Sequence, residues 1–315
     1  MRKRNRYIIL TVLCILSLIL LNNFPSAPSP SFKKISSISA QKIPAAFGFK
    51  NPILIFASLL YAFIFFAGLI NLGLFFIRKI NGYPITNLNY PKKKLPLSQD
   101  KIAELIFSIS LLTLLTYLLP GPFLSLSGLN PIYIILGANY LFQIGTVFII
   151  FYYIKPDFFD FRLEKKELGF LLETYTALAP ILVASIFINL FLLKSLGITP
   201  PPSPLIKLMP LINTKIALFL FALQVILIAP FAEELIFRGI FYKLLRKKYS
   251  FFISAAAVSL FFSFLHRSPS GTIGLFAISF TLCYVYETTQ KIGTAFAFHA
   301  LHNAVTLLFF LGTKI

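Results

Sequence analysis

Runs of about 20 apolar residues, each enough to cross roughly 30 Å of hydrocarbon, recur along this chain and decide what it can fold into. Nine are traceable: Tyr7 to Leu21, Pro52 to Ile77, Ile102 to Leu119, Pro131 to Ile154, Gly169 to Leu193, Ile216 to Arg238 and beyond, Ser250 to Leu265, Gly271 to Tyr286, and Ile292 to Leu311. The expected fold is all-α, a polytopic transmembrane helical bundle of about eight or nine spans. Composition points the same way, since 57% AVILMFWYC with 12% charged residues lies outside the range of soluble domains.

A net charge of +19 would, on a soluble protein, raise the question of nucleic acid. Here the bases follow the loops. With the N-terminus in the cytoplasm, nineteen of the 29 Lys and Arg fall in inside loops and nine outside, with Arg238 left within a span. That bias favours an N-inside, C-outside protein of the cell membrane, and no nucleic-acid partner is expected. The loop from Lys33 to Lys50 dissents from the pattern. Tyr7 to Leu21 reads as an uncleaved anchor, with a signal peptide as the alternative because its apolar run is short and small residues follow it. Cys14 and Cys283 both lie in apolar runs, which leaves no disulfide framework and no cysteine zinc site.

Five prolines between Gly197 and Pro210 break helix formation and mark a connector. Residues 1–196 then form an N-terminal membrane region of about five helices, and residues 211–315 a second membrane domain. Asp157 to Leu172 mixes charges with phenylalanines and reads as an interfacial amphipathic segment.

Ionisable groups are expensive at membrane depth, so their concentration in the second domain signals a site. In the run Ala229-Pro-Phe-Ala-Glu-Glu-Leu-Ile-Phe-Arg238, Glu234 and Arg238 are i,i+4 neighbours suited to an ion pair. Glu233 points about 100° away from Glu234 and is left for chemistry. Pro230 has no N–H and should release the Ile226 carbonyl and kink the helix just ahead of the acids. His266 ends the seventh run; in the ninth, His299 and Asn303 share a face, with His302 to one side. At ~1.5 Å per residue, Glu233 lies roughly 20 Å, His266 about 25 Å, His299 about 12 Å and Asn303 about 18 Å from the basic turns on one membrane face. One shared intramembrane site is therefore expected.

In series, Glu233-Glu234-x-x-x-Arg238, Phe262-x-x-x-His266 and His299-x-x-x-Asn303 resemble the CPBP (Abi) family, which includes the type II CAAX prenyl endopeptidases. The resemblance covers about Leu205 to Ile315. It implies an intramembrane endopeptidase in which Glu233 is the base on a water, His266 its partner, and His299 with Asn303 the oxyanion donors, supported by Glu234 and Arg238. The implied partner is a membrane-associated or lipidated, CAAX-like protein or peptide within the lipid bilayer. No cofactor is expected, because the chain lacks a His-Glu-x-x-His helix; the alternative is a zinc metalloprotease using Glu233, His266 and His299. Two other classes compete. A membrane immunity or scaffold protein would use the cluster only to fix helix packing, and a proton-coupled transporter would use it as a relay.

Overall fold

The computed structural model describes residue 11 and residues 52–82, 94–118, 130–199 and 208–314. The anchor-or-signal question at Tyr7 to Leu21, the loop from Lys33 to Lys50 and most of the proline-rich connector lie outside the described residues. What is described is helical, with no strand. We label the helices α1 (Pro52–Ile80), α2 (Gln99–Leu118), α3 (Pro131–Tyr153), α4 (Lys165–Ser195), α5 (the continuous run Lys215–Arg246), α6 (Phe251–Leu265), α7 (Thr272–Thr289) and α8 (Ile292–Lys314). Among the described residues seven of these are long and apolar enough to cross a membrane; the 15 residues of α6 fall short. The protein is an integral, multi-pass membrane protein.

Helix ends follow local chemistry. The Asn130 side chain accepts from the Ile132 N–H ahead of Pro131, Thr214 from Ala217 and Ser250 from Ile253, each quenching an amide with no partner inside its helix. At the end of α6 the chain turns out through Arg267, at φ 48, and α7 closes on Gln290, at φ 56.

The helices gather into two compact units whose segments alternate along the chain. One comprises α2, α3 and α5 as far as Gln224. Within it Tyr140 Oη donates to the Leu220 carbonyl at 2.8 Å, and Gly145 lets α3 lie against Leu112 of α2.

The other unit holds α1, α4, α5 from Val225 onward, and α6 to α8. Here α1 packs on α4 and α8, and α7 on α4 and α6. Pro180, inside α4, has no N–H for the Thr176 carbonyl one turn earlier. Gly68 of α1 approaches that carbonyl so closely that a Cβ there would stand 2.1 Å from it, while Asn71 Nδ2 donates to Thr176 Oγ1 at 2.6 Å. Lipid-facing phenylalanines such as Phe56, Phe63 and Phe66 line the other side of α1.

Residues 157–172 are not one helix. A 3-10 turn over Pro156–Phe158 gives way to an irregular strap, and α4 starts at Lys165. Residues 159–164 of the strap belong to the second unit and are seated on α5 and α8. Phe159 packs at Gly239, and Gly293, whose Cβ would meet the Phe161 carbonyl at 2.2 Å, donates its N–H to the Asp160 carbonyl at 3.1 Å. Lys291 binds Glu164 at 2.7 Å and Glu167 at 2.6 Å, pinning the strap's end to the start of α8.

Candidate active site

The six residues singled out by their spacing, Glu233, Glu234, Arg238, His266, His299 and Asn303, all belong to the second unit. They are carried by α5, the end of α6, and α8. Helix α5 is not a regular α-helix here: Gln224–Ile228 and Leu235–Tyr242 are π-helical and bracket the α-helical turns Ala229–Glu234 that carry both glutamates. π-Helical turns inside α-helices are frequent at functional sites.

Glu234 and Arg238 form the expected ion pair, with Arg238 Nη1 3.0 Å from Glu234 Oε1 and both side chains 0% exposed. Both terminal nitrogens of the guanidinium are held, while its buried Nε has no hydrogen-bond partner among the described residues. Nη2 donates to the carbonyl and the hydroxyl of Ser279 on α7, each at 2.8 Å. Its plane lies 5.4 Å from the Phe262 ring and 5.9 Å from Phe237, an arrangement that suits a delocalised cation. A buried charge needs this many partners to remain charged.

His299 Nδ1 lies 2.8 Å from the same Glu234 oxygen. A carboxylate paired with arginine only accepts hydrogen bonds, so Nδ1 carries the proton and Nε2 is the ring's variable position. Nε2 faces Glu233, 3.8 Å from its Oε2. That is longer than a direct hydrogen bond and within the span that one shared water, about 2.8 Å from each atom, would bridge. Glu233 is 24% exposed, in contrast to its sealed neighbour. The two consecutive glutamates thus divide: one is buried and structural, the other reaches accessible space.

Asn303 Nδ2 donates to the Val225 carbonyl at 2.9 Å. The orphan carbonyl that Asn303 serves belongs to Val225, one residue before the Ile226 expected for a regular helix, because the backbone there is π-helical. His266 caps α6, with its Nδ1 2.8 Å from the Phe262 carbonyl and its ring lying on Phe262 at 4.3 Å between centroids. Phe262 also meets the His299 ring at 6.0 Å, so this one aromatic stands beside both imidazoles. His302 turns away from the glutamates, edge-on to Tyr175 at 6.2 Å, and its buried Nδ1 has no hydrogen-bond partner among the described residues. Among those residues no three His, Cys, Asp or Glu side chains converge as a metal site.

Several supporting groups escape a reading of spacing alone. Ser279 and Phe262, which seat Arg238, are ordinary residues of apolar spans. Glu287 is 2% exposed and accepts from Tyr242 Oη at 2.8 Å and from Arg246 Nη2 at 2.8 Å, tying the end of α5 to α7. Its signal was present as a lone acid after an apolar run, but it falls one residue past the run ending at Tyr286.

Comparison with known proteins agrees with the motif pattern. Residues 215–305 match the family described as type II CAAX prenyl endopeptidase Rce1-like. The UPF0177 protein YaiF of Lactococcus lactis subsp. lactis (strain IL1403) is 36% identical over 85 residues, a match covering 26% of this chain and 37% of that protein. No solved structure matches. The family match begins with α5 and contains all six residues; α1 to α4 lie outside it.

Proposed function

We propose that the protein is an intramembrane endopeptidase that hydrolyses a peptide bond of a membrane-associated or lipidated, CAAX-like protein or peptide with a glutamate-activated water. The observation that carries this reading is the pairing of a partly accessible Glu233 carboxylate with His299 Nε2 at 3.8 Å, beside a sealed Glu234–Arg238 pair. The Rce1-like match over residues 215–305 supports the reaction class.

In this mechanism a water between Glu233 and His299 attacks the scissile carbonyl carbon as Glu233 takes its proton. His266 is a further partner of that water. The tetrahedral oxyanion is met by the Asn303 amide and by His299, whose ring Glu234 orients through the Nδ1–H. Collapse breaks the C–N bond, and the proton held by Glu233 passes to the departing nitrogen, giving a carboxylic acid, which keeps the water's other hydrogen, and an amine. No step needs a metal. Full activity after exhaustive chelation supports that, and strict zinc dependence overturns it.

The active protein is placed in the cell membrane with its N-terminus in the cytoplasm. Arg78 and Lys79 at the end of α1, Lys165 and Lys166 at the start of α4, and Lys247 and Lys248 between α5 and α6 then share the inner face. The decisive test is cleavage of a fluorogenic farnesylated CAAX peptide, and of the same peptide without lipid, by purified protein in detergent. Wild type cleaves and Glu233→Gln does not. Retained cleavage by Glu233→Gln removes the base, and full biological function of that variant would favour a scaffold.

A further inference from the structure

Helix α5 changes register where it enters the site, and the change has a consequence for Asn303. A π register pairs the carbonyl of residue i with the N–H of residue i+5. Val225 lies in the π-helical stretch Gln224–Ile228, and five residues after it stands Pro230, which has no N–H. The Val225 carbonyl is thereby left without a donor in its own helix. Asn303 supplies one from α8, at 2.9 Å.

We infer that Pro230, acting through the Val225 carbonyl released by the π turn, is a positioning residue that holds the Asn303 carboxamide with its nitrogen turned toward α5. The inference rests on the hydrolase reading, in which Asn303 is an oxyanion donor. A primary amide has one acceptor oxygen and two N–H donors on nearly the same outline, so packing alone barely distinguishes its two flips. The Val225 carbonyl distinguishes them sharply, since the flipped amide would set oxygen against oxygen. With one N–H given to Val225, the planar group leaves the second N–H pointing about 120° away. Asn303 shares the α8 face of His299 by i,i+4 spacing, so this free donor and the imidazole serve the same space. A flipped amide would instead present lone pairs where negative charge develops, a worse outcome than having no side chain there.

The test puts an N–H back. Pro230→Ala gives residue 230 a donor that closes on the Val225 carbonyl within the helix. Val225-Ile226 is the chain's single Val-Ile pair, so labelling with carbonyl-13C valine and 15N isoleucine yields one resonance for the Val225 carbonyl. Asn303→Ala should shift that resonance in the wild-type background and leave it unmoved in Pro230→Ala. No shift in Asn303→Ala alone overturns the inference, whatever the activity and whether or not Pro230→Ala folds.

With the fluorogenic farnesylated CAAX peptide, Pro230→Ala should lower kcat about tenfold, part of the ~10²- to 10³-fold lost with a whole donor, while KM stays within about twofold. Combined with Asn303→Ala it should lower kcat no further. N-methylalanine at position 230, placed by cell-free suppression, lacks the N–H without proline's ring and should restore the wild-type kcat. A wild-type rate in Pro230→Ala, with Glu233→Gln inactive, overturns the inference and leaves the hydrolase reading standing. Equal rates in wild type and Glu233→Gln sink that reading, while the carbonyl resonance still reports on Pro230 and Asn303.

Discussion

His299 is held by Glu234, not by Glu233: its Nδ1 lies 2.8 Å from Glu234 Oε1, while Nε2 faces Glu233 Oε2 at 3.8 Å. This assigns different duties to two chemically identical neighbours. Glu234, sealed and shared between Arg238 and His299, sets the tautomer of the imidazole. Glu233, partly accessible, has an oxygen free to accept a proton. A chain of contacts from Ser279 through Arg238 and Glu234 to His299 links the helix core to the imidazole edge that faces Glu233.

Glutamine at the two positions should therefore have different effects. Glu233→Gln abolishes cleavage and leaves thermal stability in detergent unchanged. Glu234→Gln removes the counter-charge of a fully buried arginine, a loss of about 3–5 kcal/mol in comparable buried pairs, so it lowers both stability and activity. Thermal unfolding of the two variants beside their peptidase rates checks this. Equal stability of the two variants would contradict the division of labour.

Ser279→Ala probes the far end of the same chain. Arg238 Nη2 loses the hydroxyl but keeps the Ser279 backbone carbonyl, so the expected loss is about 1.5 kcal/mol, the low end for a hydrogen bond to a charged group. The guanidinium and with it Glu234 gain freedom. The kcat should fall severalfold with KM unchanged, and a changed KM alone would show that Ser279 acts on substrate binding instead.

The spans were legible in the sequence because membrane depth imposes length and apolarity: seven of the nine runs coincide with helices long enough to cross, and the run at Ser250 to Leu265 with the shorter α6. Which of the candidate residues share a helix face was legible too, since i,i+4 spacing fixes it. What spacing leaves open is pairing across helices. It gave Glu234 to Arg238 correctly, yet it could not show that His299 would also turn to Glu234. It located an orphan carbonyl at Ile226, whereas the π register, which has no signature in hydrophobic periodicity, put the one that Asn303 serves at Val225. The strap over residues 159–164 was hidden for a similar reason. Its order comes from Gly239, Lys291 and Gly293, distant in the chain, while its own sequence has no regular period.

Gly68→Ala tests the crossing of α1 and α4. A methyl group at this position would stand 2.1 Å from the Thr176 carbonyl and 2.7 Å from Pro180 Cδ, and neither backbone nor ring can move aside. Overpacking of this kind costs about 1–3 kcal/mol. A lower unfolding temperature in detergent is expected, with Gly73→Ala, where nothing lies within 4 Å, as the control. Equal unfolding temperatures for the two variants would show that α1 is not seated on α4 as described.

The docking of the strap on α8 should depend on pH in a direction its charges fix. Hydrogen bonds from Arg162 hold the Asp160 carboxyl down to about 2, and those from Lys166 and Lys291 hold Glu164 at about 2 as well. Partial burial opposes the charge on Lys291, but its bonds to Glu164 and Glu167 outweigh this and raise its pKa above the ordinary 10.5. Depressed acids stabilise fully above the usual carboxylate range, and their contribution fades as pH falls toward 2; a raised lysine contributes fully below its ordinary value and is lost only above it. Docking is thus constant from about pH 5 to pH 9 and weakens at both extremes. The chain has no Trp, so Phe161→Trp, at a ring 5.6 Å from Phe231, provides a single fluorophore on the strap. Its emission should stay constant through the neutral range and shift to the red as pH drops from about 4 toward 2, with the midpoint moving upward when Lys291→Met is added. A red shift already complete at neutral pH, or a midpoint indifferent to Lys291, would show that these ion pairs do not hold the strap.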